Sequence, residues 1–253
     1  MAGRHRHLVL HDEGPLHRLP PQCKLLATLL FVFAVVATPK EQFWAFGIQA
    51  GLIVAAAVIG RVPLLLVARR LVIEVPFLLF AVLLPFVGQG PRVDVLGLSL
   101  SEAGLWAAWN IVVKGTLGVA ATVVMASTTT IPHILAGLER LRVPRTMVAI
   151  TAFMIRYGDV IGDELRRMRI ARESRGAGSG RLGQARAVAT SAGALFVRSY
   201  ERGERVYLAM ASRGYVGSMP VRDAPATAWS WVVCLLWPMA AAVVAAAAWW
   251  VQR

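Results

Sequence analysis

The chain has 253 residues, 57% of them hydrophobic and 16% charged, and carries a formal net charge of +13. That is too apolar for an ordinary soluble domain, and several apolar runs approach the roughly 20 residues that cross a bilayer core. The charge is unevenly placed: from Glu139 to Asp223 there are sixteen arginines, no lysine and eight carboxylates, a surplus of eight. A basic block beside membrane spans signals a cytosolic face, contact with anionic membrane lipid, or docking to an acidic partner. Nucleic acid is not an expected partner, because the charge lies on amphipathic helical patterns with few aromatics interleaved.

Residues 1–24 read as a cytosolic N-terminal tail rather than a signal peptide, since no short apolar stretch with a small-residue cleavage site follows the basic start. His5, His7, His11 and His17 fit neither one helical face nor a known metal-site spacing, so no metal or cofactor is expected. Cys23 and Cys234 lie far apart at the edges of apolar segments, without metal or redox spacing, and no structural disulfide is expected. Residues 25–126 hold four expected spans. The first, Leu25–Thr38, is short, with Lys24 snorkelling towards water. After a turn at 38–42 comes Phe43–Gly60. Val62–Ala68 reads as a short interfacial helix, and the third span, Leu71–Val87, is bent or ended by Pro76 and Pro85. A long polar connection, Gly88–Glu102, leads to the fourth span, Ala103–Ala126.

Basic residues crowd the tail (Arg4, Arg6, Arg18, Lys24) and the second connection (Arg61, Arg69, Arg70), whereas the first and third connections hold one each, Lys40 and Arg92. The positive-inside rule then puts the N-terminus, and the basic block after the fourth span, in the cytosol. Residues 223–253 read as a final span, Trp229–Val251, with tryptophans at both ends. Two ionisable residues fall inside spans, Glu74 and Lys114. Glu74 lies only about 6 Å above Arg70 at ~1.5 Å per residue, whereas Lys114 is near mid-span. The two are therefore not expected to pair, and Lys114 is left to face a partner subunit or a buried carbonyl. Gly115 and Gly118 read as helix-packing positions.

Residues 127–222 form the expected cytosolic coupling module of one short and two long amphipathic helices. Thr128-Thr129-Thr130 followed by Pro132 is a helix start, with His133–Arg142 as the short helix and Val143-Pro144 as its break. The first long helix, Arg145–Glu173, has an apolar stripe at Met147, Ile150, Met154, Tyr157, Ile161, Leu165 and Met168. Asp163 and Arg167 mark its outer face, and Arg156 and Asp159 are expected to pair at i, i+3. Residues 177–180 read as a loop. The second long helix, Arg181–Ser212, repeats the stripe at Ala185, Val188, Ala192, Phe196, Ser199, Gly203, Val206 and Met210. Against it stand Arg186, Arg198, Glu201, Arg202, Glu204 and Arg205, and the two stripes are expected to pack together.

Each long helix closes on the same tripeptide, Ser174-Arg175-Gly176 and Ser212-Arg213-Gly214. Glycine suits the left-handed residue that ends a helix, and arginine suits the negative end of the helix dipole, so each copy can be a plain helix stop. Two copies on helices sharing a stripe also suit a second reading, in which each arginine enters an acidic groove of a partner.

The runs Phe-Met-Ile-Arg-Tyr-Gly-Asp (153–159), Arg-Met-Arg-Ile-Ala-Arg-Glu-Ser-Arg-Gly (167–176), Val-Arg-Ser-Tyr-Glu-Arg-Gly-Glu-Arg-Val (197–206) and Ala-Met-Ala-Ser-Arg-Gly-Tyr (209–215) resemble the transmembrane T-component of energy-coupling-factor transporters. Pro-Leu-His-Arg-Leu-Pro-Pro (15–21) followed by Lys24 is similar in particular to the cobalt-uptake branch. The resemblance covers nearly the whole chain. It implies an all-α membrane protein with about five transmembrane helices, serving as the scaffold of an ATP-driven uptake complex. It implies that Arg175 and Arg213, with Ser174, Gly176, Ser212 and Gly214, dock two ATP-binding-cassette ATPase subunits of the CbiO kind. Arg172, Arg156, Asp159, Arg198, Glu201 and Arg205 would support the coupling helices. The membrane part would hold a substrate-binding S-component of the CbiM kind, with room for a small accessory membrane subunit of the CbiN kind. The family tripeptide is often Ala-Arg-Gly, so the two serines are a mild departure.

No phosphate loop, His-Glu-x-x-His or nucleophile elbow is present, so the chain is expected to be non-catalytic, with ATP hydrolysed by partner subunits. The cargo expected from the resemblance is cobalt ion, with nickel or a vitamin as the alternatives. From another class, the rivals are a membrane enzyme acting on a phosphorylated lipid and a module that only docks to anionic lipid.

Overall fold

In the computed structural model, residues 14–88, 91–95, 98–176, 181–217 and 226–252 are described. His5, His7, His11, Arg4, Arg6 and the expected loop 177–180 lie outside them. The protein is an all-α membrane protein, and its contacts divide it into two compact units, Met1–Gly137 with Asp223–Arg253, and Leu138–Arg222.

The first unit is a helical bundle. A 3₁₀ turn, Pro15–Arg18, contains His17 and leads into α1 (Pro21–Ala37). Then come α2 (Phe43–Ile59), α3 (Leu64–Arg70) and α4 (Val75–Val87), followed by the strands β1 (Arg92–Val95) and β2 (Leu98–Ser101). The unit continues with α5 (Glu102–Ser127), the first part of α6 (Ile131–Arg140), and α9 (Ala228–Val251). Among the described residues, three helical stretches are long and apolar enough to cross a membrane: Leu64–Val87, Glu102–Ser127 and Ala228–Val251. The apolar helices α1 and α2 have 17 residues each, the short end of the spanning range of about 17–25.

Two of the sequence expectations change here. The short helix expected at 62–68 is present as α3, but it is not separate from the next span: it runs on through a 3₁₀ turn at Leu71–Glu74 into α4. Pro76 explains the 3₁₀ turn, because it has no N–H to give to the preceding helical carbonyl and the chain tightens before it. The polar connection after α4 is an antiparallel hairpin, with Arg92 opposite Ser101 and Val95 opposite Leu98. Ser101 ends that hairpin and caps α5, its Oγ accepting from Gly104 N at 3.3 Å.

The bundle core gathers Phe31, Val35, Phe46, Ile53, Ala57, Ala121 and Ala241, and Phe31 stacks on Trp237 with ring centroids 4.1 Å apart. Several polar groups inside it find partners. Gln49 Nε2 donates to Thr38 Oγ1 at 2.9 Å, and Thr38 Oγ1 donates to Ala34 O at 2.9 Å. Lys24 does not snorkel. It is buried, and its Nζ donates at 3.0 Å to the carbonyl of Thr128, the C-cap of α5. The partial negative charge on that helix end attracts the ammonium inward. Lys114 likewise donates at 2.7 Å to Val36 O in the last turn of α1, where Trp249 Nε1 donates to Ala37 O at 2.8 Å. Glu74 is buried and accepts from Thr116 Oγ1 at 3.0 Å, so it and Lys114 have separate partners; because Glu74 meets α5 at Gly115 and Thr116, beside Lys114, the expected difference in depth is not what separates Lys114 from Glu74. Gly115 is what admits it: a Cβ there would run into Glu74 Oε1. Cys23 and Cys234, distant in sequence, are both buried in one cluster, unbridged, near the starts of α1 and α9.

The second unit holds the end of α6, α7 (Arg145–Ser174) and α8 (Arg181–Ala211). Thr130 precedes the first residue of α6 and its hydroxyl meets His133 Nδ1. Arg142 stops that helix at φ 66°, with Arg142 N donating to Glu139 O and Val143 N to Leu138 O at 3.1 Å each, a Schellman ending formed without glycine.

Replacing Gly115 with valine should therefore force α4 and α5 apart at Glu74. Overpacking of this kind costs about 1–3 kcal/mol, and thermal unfolding in detergent should show a lower midpoint for Gly115→Val than for Gly118→Val, whose added Cβ would meet only Val32 at the edge of contact.

Candidate coupling-helix site

The two Ser-Arg-Gly copies fold into the same helix ending. At the end of α7, Ser174 Oγ donates to Ala171 O at 3.0 Å, Arg175 N to Arg172 O at 3.2 Å and Gly176 N to Glu173 O at 3.1 Å. At the end of α8, Ser212 Oγ donates to Ala209 O, Arg213 N to Met210 O and Gly214 N to Ala211 O, each at 3.0 Å. Both glycines take left-handed backbone, φ 67° at Gly176 and 81° at Gly214, which a β-carbon would strain. Tyr215 N donates back to Met210 O at 3.0 Å and completes a Schellman ending on the second copy. Each serine thus returns its hydroxyl to its own helix, leaving the arginine as the group each ending offers. Arg175 and Arg213 are exposed, and neither guanidinium has a partner among the described residues.

Behind these ends, α7 and α8 face each other along half-buried positions at three- and four-residue spacing. On α7 these are Tyr157, Ile161, Glu164, Met168 and Arg172; on α8 they are Ala187, Ser191, Leu195, Ser199, Arg202, Val206 and Met210. The pairing is antiparallel, since Glu164 meets Arg198 and Arg202 while Phe153 and Tyr157 share a 380 Å³ hollow with Val206, Met210 and Tyr215.

The expected stripes are corrected in part. Tyr157, Ile161, Met168, Ser199, Val206 and Met210 do lie on the facing sides. Met147, Ile150, Met154 and Leu165 are exposed, as are Val188 at 53% and Phe196 at 72%. On the first half of α8 the facing residues are one position earlier than the apolar pattern indicates, at Ala187, Ser191 and Leu195. On α7 a carboxylate, Glu164, takes the place expected for Leu165. The physical reason is a shared charge: Glu164 Oε1 accepts from Arg198 Nη1 and Oε2 from Arg202 Nη2, both at 3.2 Å. The sequence pattern sets Arg202 against the stripe and uses Glu164 with Met168 only to mark the helix faces, so neither is expected to bond across the pair. The spacing of Glu164, three after Ile161 and four before Met168, was the available signal.

The remaining supporting residues are less engaged. Arg156 and Asp159 sit on the exposed surface of α7 rather than its apolar half, as do Asp163 and Arg167. Arg169 and Glu173 form an i, i+4 ion pair on α7 at 2.8 Å, and this hydrogen bond and its charge attraction hold the Arg169 pKa above the usual arginine value. Glu201 and Arg205 approach to 3.9 Å, both exposed, a pair worth little in water. In the first unit, a 580 Å³ hollow lined by Lys24, Ala27, Ala56, Val124, Cys234 and Trp237 is almost wholly apolar. Among the described residues no three His, Cys, Asp or Glu side chains converge.

Two matching arginine-bearing endings thus close paired amphipathic helices in a chain that also holds an apolar helical bundle. The family described as Cobalt transport protein, CbiQ, matches residues 12–222. The chain belongs to that family. It is 28% identical over 187 residues to the cobalt transport protein CbiQ of Rhodobacter capsulatus, covering 74% of this chain and 75% of the relative. It is 30% identical over 222 residues to the energy-coupling factor transporter transmembrane protein EcfT of Thermanaerovibrio acidaminovorans, covering 82% and 81%. A putative fused cobalt transport protein, CbiMQ, of Methanocorpusculum labreanum is 25% identical over 83% of this chain and 36% of its own length. As a CbiQ relative, the chain is a T-component, the transmembrane component of an energy-coupling-factor transporter.

Valine at Gly176 or Gly214 should fray the last helical turn, at a cost of about 1–3 kcal/mol for a strained backbone. Hydrogen exchange should then quicken at residues 171–176 or 209–214. Ser174→Ala and Ser212→Ala, which lose only an intrahelical bond, should stay within about 0.5 kcal/mol of the parent.

Proposed function

We propose that this chain is the non-catalytic coupling subunit of an ATP-driven cobalt uptake complex. Its partners on this reading are two ATP-binding-cassette ATPase subunits and a substrate-binding membrane subunit, with an optional small accessory membrane protein. The observation that carries it is the duplicated ending: the same three hydrogen bonds and the same left-handed glycine present an unengaged arginine twice. Two like ends suit two like partners, and a guanidinium recognises a carboxylate groove through paired donors. The helix positions not used between α7 and α8, among them Met154, Leu165, Val188 and Phe196, leave apolar surface for a membrane partner to rest on. The name of the fused relative, CbiMQ, supports a CbiM-like membrane partner.

On this reading the N-terminus and α6–α8 face the cytosol, where ATP is available. Closure of the ATPase pair moves the two acidic grooves together. Arg175 and Arg213 carry that motion into α7 and α8, which shift against the substrate-binding subunit and tip it between outward and inward states. Cobalt is cargo held by that subunit, consistent with the apolar lining of the hollow in this one.

Arg175→Glu and Arg213→Glu should each cut ATPase co-purification and abolish cobalt uptake; unchanged uptake in both variants would sink the reading. The relative named EcfT favours a second possibility for the cargo alone. Metal analysis of cells expressing the intact complex should show cobalt accumulation dependent on this chain. Accumulation of nickel instead, or of neither metal, would keep the subunit's role but move the cargo to nickel or a vitamin.

A further inference from the structure

Glu164 stands at the centre of the α7–α8 pair. Its side chain is only 12% exposed, and each of its oxygens accepts from a different arginine of α8, Arg198 at 59% and Arg202 at 33% exposure. Arg198 and Arg202 are one helical turn apart on one face, so a single carboxylate is held from two levels. Apart from Arg172 near the end of α7, the rest of the facing stripe is mainly small or apolar: Ile161 and Met168 on one helix, Ala187, Ser191, Leu195, Ser199 and Val206 on the other. Such packing is non-directional and tolerates rotation of a helix about its axis.

Rotation has a definite alternative here. The Val188–Ala192–Phe196 face of α8 is more apolar than the Ala187–Ser191–Leu195 face that is used, and apolar burial alone would choose it. The helices instead adopt the face that brings Arg198 and Arg202 to Glu164. The charge cluster therefore sets the rotation and leaves Val188 and Phe196 outside. Partly buried charge can select one arrangement without adding stability to it.

The same cluster is placed symmetrically about the two arginine ends. Glu164 precedes Arg175 by eleven residues, and Arg202 precedes Arg213 by eleven. Eleven residues are about three helical turns and ~16 Å of rise, so each arginine returns to nearly the same side of its helix as its clamp residue. Because the helices are antiparallel, the two ends leave the clamp in opposite directions, on the order of 35 Å apart.

We infer that Glu164 is the pin of the coupling-helix pair, a positioning residue that fixes the rotation and separation at which Arg175 and Arg213 are presented. The consequence for transport rests on the proposed function; the geometric role does not. With the pin intact, a push on either arginine moves α7 and α8 as one body. Without it, α8 can turn towards its more apolar face and the push is spent between the helices.

The experiment has two arms. In the first, the full chain in lipid nanodiscs carries spin labels at Ser174→Cys and Ser212→Cys, with Cys23 and Cys234 replaced by alanine, and the label separation is measured by pulsed electron resonance. One narrow distance is expected for the parent and a broadened or displaced distribution for Glu164→Gln. The narrow distance should return when the charges are reversed together in Glu164→Arg with Arg198→Glu and Arg202→Glu. An unchanged distribution in Glu164→Gln, or no recovery on reversal, overturns the pin. In the second arm, the complex assembled with the ATPase subunits should keep them on Glu164→Gln and still hydrolyse ATP. Cobalt uptake per ATP should fall about tenfold, the scale of breaking one shared charge network, and recover in the reversed variant. Equal uptake per ATP in parent and Glu164→Gln also overturns the pin. Failure of the parent chain itself to recruit any ATPase would instead overturn the proposed function, leaving the spin-label arm to judge Glu164.

Discussion

A helix that ends among apolar groups leaves carbonyls with no water to bond, and the membrane-spanning unit is arranged around meeting that demand. The end of α1 receives Lys114 Nζ from α5 and Trp249 Nε1 from α9. The end of α5 receives Lys24 Nζ from α1. Helices α1 and α5 therefore cap each other with lysines, and each ammonium is drawn inward by the helix end it serves. Because each bond joins elements far apart in sequence, capping also decides which helices are neighbours. Phe31 stacked on Trp237 lies within the frame these bonds set.

The same economy of polar groups appears at α4 and α5. Glu74 lies at the 3₁₀ turn that Pro76 imposes, is accepted beside Gly115 and is bonded by Thr116. A carboxyl group, a missing β-carbon and a hydroxyl on two helices make one contact, and removal of any of the three would leave the other two misfitted. Nearby, Arg70 Nη1 donates to Ser127 Oγ, which donates to Val123 O, extending polar contact along α5.

In the second unit the helices carry more apolar surface than their mutual contact uses. Glu164, gripped by Arg198 and Arg202, selects the less apolar face of α8 for the pair, and the surplus stays open. A T-component has to present surface to other subunits, so a pair that buried its best apolar residues internally would have little left to offer. The arginine endings follow the same logic on a smaller scale: serine and glycine complete the helix stop, and the guanidinium is not consumed by it.

The sequence by itself determined the membrane character, the positions of the apolar helices, the amphipathic long helices and their Ser-Arg-Gly endings, because these depend on local composition, periodicity and turn chemistry. The absence of a Glu74–Lys114 pair is expected from a difference in depth, but Glu74 meets α5 at Gly115 and Thr116, level with Lys114, and it is their different partners, Thr116 and Val36 O, that keep them apart. Tertiary structure alone decided that Lys24 turns inward to Thr128, that Cys23 meets Cys234, and that α8 faces α7 through Ala187 and Leu195 rather than Val188 and Phe196. Each of these turns on a partner distant in the chain, and no periodicity records which carbonyl needs a donor. Glu164 is the clearest instance. Its spacing put it on the stripe, but only the two arginines across from it explain why a charge belongs there.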